Sequence, residues 1–187
     1  MDECELLKTL TGILVRAECD TRYREIKVMS DAEAMQSTAD KFGYPDTLIA
    51  ETPSWLVLLR PQQVTLGAVV LLCREPVEAF GAVSAEALAG LNPLIGHLEN
   101  VLSDFSGYEK INYLMLMMVD PAVHFHVIPR YEADRTFGGL TFPDAGWPGP
   151  PALDRAVKLD DEARHALTLE LRERWNACVK SPSSSGT

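Results

Sequence analysis

The sequence predicts an α+β domain built on an antiparallel sheet, on three observations. β-rich runs come in neighbouring pairs, residues 55–60 with 64–74 and residues 110–119 with 123–131. An apolar stripe at helical spacing separates the pairs, and further helical segments flank them. Strands that follow each other this closely pair antiparallel, and the helices then cover the sheet. The chain has 187 residues, 47% hydrophobic and 24% charged. That is ordinary for a globular domain with a sizeable core, and it excludes general disorder.

The elements follow in order. Leu6, Leu7, Leu10, Ile13 and Leu14 recur at helical spacing and predict an amphipathic helix over 3–15. Residues 31–42 read as a second helix, capped by Ser30 or Asp31 and stopped by Gly43. Pro61-Gln62-Gln63 then separates the first two strands, which pair antiparallel. Ser84 is an N-cap with Glu86 in the first turn. Leu88, Leu91, Ile95, Leu98 and Leu102 follow at steps of three and four. The stripe predicts a helix over 85–104 packed on the sheet, with Pro93 kinking it or sitting in its first turn. Asp120-Pro121 is turn-like and joins the second pair of strands into a hairpin. Glycines and prolines crowd 136–153, which reads as an ordered but irregular arm anchored by Phe137, Phe142 and Trp147. Asp160 and Asp161 open a last helix to about Val179, with Arg172 and Arg174 near its end, as the helix dipole favours. Residues 181–187 read as a disordered tail.

The formal net charge of −10 argues against wholesale binding to nucleic acid or to an anionic membrane, since both need a basic footprint. It leaves room for a local anion site. Met1-Asp2-Glu3-Cys4-Glu5 is acidic where a secretory signal is positive, and no apolar run has the length of a membrane span. Cys4, Cys19, Cys73 and Cys178 lie far apart with no CxxC pair, which reads as free thiols in a reducing compartment. A cytoplasmic protein is expected.

Two of the four histidines are His124 and His126. Residues two apart on a strand point the same way, so Val123, Phe125 and Val127 take the core face and the histidines share the other. The pair is open to several readings. It is a solvated polar pair, or a metal site, or an acid/base pair, or a nucleophile with its helper. A metal needs a third ligand, and nothing places His97 or His165 nearby. A nucleophilic imidazole at phosphorus needs a second, close and parallel ring on the phosphate oxygens, and spacing i, i+2 provides it.

Ala122-Val123-His124-Phe125-His126-Val127-Ile128-Pro129-Arg130 resembles the histidine-triad (HIT) motif His-φ-His-φ-His-φ-φ, where φ is apolar, followed by Pro-Arg. Residues 65–76 resemble the family's Gly-started strand, and Asn112 to Met118 occupies the strand before the triad. The likeness covers roughly 55–131, and the extensions look like those of a diadenosine-polyphosphate-hydrolase-like subgroup. It implies a HIT core over 55–135, an N-terminal helical extension over 1–54, and the arm with its C-terminal helix over 136–180.

The resemblance also implies roles. His124 takes the position of the nucleophile at the α-phosphorus, and His126 that of the histidine contacting phosphate oxygens. Ala122 replaces the first histidine but keeps the main-chain carbonyl that, in the family, accepts from the nucleophile. Asn112 and Arg60 are the polar candidates for ribose or phosphates; Ala68 stands where relatives often carry His or Ser. The implied activity is hydrolysis or transfer at the α-phosphate of dinucleoside polyphosphates such as diadenosine tetraphosphate, or of adenylyl compounds. The alternative is a nucleotide-binding module with little or no turnover. No tightly bound cofactor and no metal site are expected, Mg²⁺ being only a companion of a polyphosphate substrate. The implied partners are a nucleotide and a second copy in a homodimer.

Overall fold

A computed structural model describes residues 32–180, so the helix expected over 3–15 and the tail over 181–187 lie outside the described residues. In chain order the elements are α1 (32–41), β1 (Leu48–Glu51), β2 (Trp55–Leu59), β3 (Gln62–Gln63), β4 (Val69–Cys73), α2 (Ala85–Ser106), β5 (Lys110–Leu114), β6 (His124–Arg130), β7 (Arg135–Phe137), β8 (Leu140–Phe142), β9 (Val157–Lys158) and α3 (Asp161–Lys180). Five strands form one antiparallel sheet in the order β1-β2-β4-β6-β5. The expected α+β class is what the structure has.

Both sheet faces are covered, which is why β2 and β4 are buried at every position. On one face Trp55, Val57, Val69, Leu71, Val123 and Val127 pack in one core with Leu98 and Leu102 of α2 and with Leu167 and Leu171 of α3. The other face carries Leu56, Leu58, Val70, Leu72 and Ala122, closed by Ala39 and Phe42 from the end of α1. Gly43, with φ 84°, turns the chain out of α1 as its sequence position predicts.

Helix α2 begins as expected: the Ser84 hydroxyl accepts from the Ala87 N–H at 3.1 Å. Its buried face is Ala87, Leu94, Leu98, Val101 and Leu102, while Leu88, expected in the stripe, is exposed. Pro93 sits inside the helix, beyond its first turn. Asp160 caps α3 by accepting from the Ala163 N–H at 2.8 Å.

Several expectations are corrected. Residues 48–51, expected to be part of a helical extension, pair with β2 as an edge strand. Strand β4 starts at Val69 rather than at residue 64, because the chain first turns through Gly67 at φ 85° against Leu102 and Phe105. The fifth strand stops at Leu114, and residues 115–123 form a long connection rather than a tight hairpin. The arm is less irregular than expected. Gly138 and Gly139, both at positive φ, join β7 and β8 in a hairpin, and β9 pairs with β3. Phe142 anchors the arm in the core, and the Tyr131 hydroxyl donates to its carbonyl at 3.0 Å while accepting from the Leu66 N–H at 2.7 Å.

The arm is also held by a buried ion pair. Arg130 and Asp144 have side chains only 5% and 1% exposed, with Nε to Oδ2 at 2.6 Å and Nη2 to Oδ1 at 3.1 Å. Removing one partner strands the other charge. Asp144→Ala is therefore expected to lower stability by about 3–5 kcal/mol in chemical denaturation. The double variant Arg130→Met/Asp144→Leu should cost much less; an equal loss in both would show that the arm is held by something else.

Candidate functional site

His124 and His126 project from β6 onto the face closed by α1, opposite Leu72 and Val70 of β4. Both are buried, 1% and 8% exposed. The rings are close, with centroids 5.1 Å apart, but nearly perpendicular at 87° rather than parallel as expected. The cause is local. Phe42 packs against both rings, at 5.6 and 5.7 Å, and His124 is turned by a bond to its own strand.

That bond joins His124 Nδ1 to the Ala122 carbonyl at 2.7 Å. A carbonyl only accepts, so Nδ1 carries the proton, and in the neutral ring Nε2 is the nitrogen with the lone pair. Ala122 is 1% exposed and lies in the apolar cluster with Phe42 and Leu72. It contributes to the site through its main chain alone.

A cavity of about 380 Å³ opens beside the two rings. Its walls are Lys41 and Phe42 from the end of α1, Arg60 to Gln62 after β2, and Leu116 to Asp120 before β6. Lys41 Nζ donates to Asp120 Oδ1 at 2.7 Å, tying α1 to the connection before β6. Within that connection Met117 takes φ 43°, a left-handed conformation unusual for a side-chain-bearing residue. Arg60 is placed by Gln63, whose Nε2 donates to the Arg60 carbonyl at 2.5 Å and whose Oε1 accepts from the Gly67 and Ala68 N–H groups at 2.9 and 3.1 Å.

Among the described residues, two buried nitrogens of side chains in the cavity wall, His126 Nδ1 and Arg60 Nε, have no partner. Buried polar nitrogens without partners are rare, and both side chains belong to the wall of the same cavity. Burial pushes the His126 imidazole down to about 4, assisted by the neighbouring His124 and the charges of Arg60 and Lys41, with Asp120 opposing them. Burial also lowers Arg60 from its ordinary value.

Of the residues singled out in the sequence, the fold thus brings together His124, His126, the Ala122 carbonyl and Arg60. Asn112 is elsewhere. It shares the sheet face but accepts from Arg130 Nη1 at 2.7 Å, beside a second cavity bounded by Lys110 and Trp147. His97 lies between α2 and α3, its ring 4.3 Å from that of Trp175, and does not line the first cavity. Lys41, Phe42 and Asp120 were not foreseen as site residues. Asp120 reads in sequence as a turn residue, and the end of a helix carries no mark of which strand it will cover.

The depressed His126 value has a consequence for stability. Between about pH 6.5 and pH 4 the unfolded chain binds a proton at this position that the native state refuses, so stability is full above the window and falls as pH drops through it. His126→Gln cannot titrate. It is expected to flatten that acid limb by on the order of 3 kcal/mol, read from urea unfolding at stepped pH. An unchanged limb would assign the acid sensitivity to other groups.

No family model matches the chain, and no curated protein matches its sequence. Solved structures do match its fold. A histidine triad protein from Sinorhizobium meliloti 1021 is similar with a TM-score of 0.58 and 20% identity, over 73% of this chain and 92% of that one. A histidine triad protein from Marinobacter aquaeolei VT8 gives 0.56 and 21%, over 70% and 89%. A diadenosine triphosphate hydrolase from Plasmodium falciparum gives 0.52 and 9%, over 77% and 97%. At these identities the likeness is one of fold. With its five-stranded antiparallel sheet and covering helices, the chain has the α+β fold of the histidine-triad proteins.

Proposed function

We propose that the chain is a nucleotidyl hydrolase or transferase acting at the α-phosphate of dinucleoside polyphosphates or related adenylyl compounds, through a nucleotidyl group carried on His124. The observation that carries this reading is the Nδ1–H bond to Ala122, which leaves Nε2 as a free lone pair beside a cavity lined by two cations and one carboxylate, Lys41, Arg60 and Asp120. The similar fold of a diadenosine triphosphate hydrolase supports the substrate class.

The chemistry follows from the protonation states. Nε2 of His124 attacks the α-phosphorus, and the bond to the distal phosphate breaks with that group leaving as the oxyanion. The positive charge that develops on the ring is met by the Ala122 carbonyl at Nδ1–H. His126, neutral at pH 7, offers its one ring N–H to a phosphate oxygen without adding a charge that would repel the developing imidazolium. Water then attacks phosphorus, the P–N bond breaks, His124 regains its lone pair, and the water proton leaves to solvent. An alcohol or amine in place of water makes the same step a transfer.

Mg²⁺ would accompany a polyphosphate substrate as its counterion; among the described residues no three metal-ligating side chains cluster. Strand β5 pairs on one side only among the described residues, so a second copy that extends the sheet is part of the proposal. Among the described residues no helix is long and apolar enough to cross a membrane.

The test is product analysis after incubation with diadenosine tetraphosphate, together with a non-acid quench of labelled substrate. AMP and ATP as products, with an acid-labile nucleotidyl group on the His124 peptide that is absent in His124→Ala, is the expected outcome. Binding of AMP without products or label would favour a nucleotide-binding module. A further expectation concerns the missing ring. Ala122→His should raise turnover roughly ten- to hundredfold, the range of one polar contact in a transition state. Because Ala122 is buried in a filled cluster, the same change should lower stability by about 1–3 kcal/mol. A variant that melts cooperatively yet turns over no faster would remove the absent ring from the account.

A further inference from the structure

The cavity beside the histidines is positive in a chain of net charge −10: Lys41 and Arg60 face it against Asp120 alone. Two of the side chains in its wall carry buried nitrogens without a partner among the described residues, His126 Nδ1 and Arg60 Nε. Those two features point to an anionic ligand. The segment that would meet the far end of such a ligand, Leu116-Met117-Met118-Val119, has no polar side chain, so it supplies no side-chain hydrogen bond. The charges in the lining that can meet phosphates beyond the α-phosphate are those of Lys41 and Arg60.

The two cations are not equivalent. Arg60 is half-buried, and its Nη1 donates to the Gln62 carbonyl, so its head is fixed to its own turn. Lys41 has a side chain 50% exposed, and among the described residues its one hydrogen-bond partner is the Asp120 carboxylate, itself 17% exposed. A lysine is a mobile point charge on a four-carbon stem, and a pair this exposed is held weakly. A chain of phosphates carries several charges and can take the ammonium from a single carboxylate.

We propose that Lys41 is the specificity-determining cation for the leaving group: it exchanges Asp120 for the distal phosphates of a polyphosphate ligand. This rests on the reading of the cavity as a nucleotidyl-transfer site. Asp120 is then the internal competitor, which keeps the cation in place in the empty cavity and weakens binding of groups with little charge.

The test uses the full chain and inorganic tripolyphosphate as the probe, with binding measured calorimetrically at two salt concentrations. The wild-type protein should bind it, and Lys41→Met should weaken binding roughly ten- to hundredfold. Lys41→Arg should keep most of the affinity, and Asp120→Asn should tighten it by removing the competitor. In turnover, Lys41→Met should lower the preference for diadenosine tetraphosphate over adenosine 5′-phosphoramidate by a similar factor. Equal tripolyphosphate affinity in wild type and Lys41→Met overturns the proposal, as does an unchanged preference between the two substrates. Lys41-dependent binding without any nucleotidyl group on His124 would instead sink the catalytic reading and leave the anion site standing.

Discussion

One hydrogen bond, from His124 Nδ1 to the carbonyl of Ala122, decides what the rest of the site can do. It spans two residues of one chain segment, so it needs no long-range contact to form. It selects one tautomer of the imidazole and aims the other nitrogen away from the strand. Because the acceptor is main chain, the bond does not depend on the side chain at position 122. The sheet supplies the rigid base: β4 lies beside β6 with Leu72 and Val70 paired to the two histidines, and Phe42 packs against both rings. Packing by Phe42 and this bond together explain why the rings meet edge to face.

Electrostatics divides the same face into two regions with opposite designs. Toward the arm, the Arg130 guanidinium is fully engaged by Asp144, Asn112 and the Gly149 carbonyl, which makes it structural. Toward α1, among the described residues, Arg60 and His126 keep buried nitrogens without partners and Lys41 is engaged only by the Asp120 carboxylate. A saturated cation holds a fold together, while an unsaturated one is available to a ligand. The α1 end of the face is where the cavity beside His124 and His126 opens, with Lys41 and Arg60 in its wall.

The sequence shows most plainly what is periodic or motif-borne. Alternation placed His124 and His126 on one face and Val123 and Val127 on the other, and the Ser84 cap located the start of α2. Features that depend on tertiary register were less legible. The edge strand over Leu48–Glu51 is too short to stand out, and it becomes a strand only because β2 offers it an open edge. Gly138-Gly139 between Thr136-Phe137 and Leu140-Thr141 was a readable hairpin signal that the crowd of prolines nearby obscured. Asn112 sits on the expected strand, but its neighbour Arg130 captures it. Lys41 and Asp120 are 79 positions apart, and only the packing of α1 across the sheet brings them together.

The central claim is the tautomer of His124, and it is open to direct observation. Long-range ¹H–¹⁵N correlation of the imidazoles, with His124 identified by its absence in His124→Gln, reports which nitrogen carries the proton. In the neutral imidazole of His124 the proton is expected on Nδ1 and not on Nε2, locked rather than averaged. A proton on Nε2, or rapid averaging between the two nitrogens, would contradict it, because no lone pair would then be held toward the cavity.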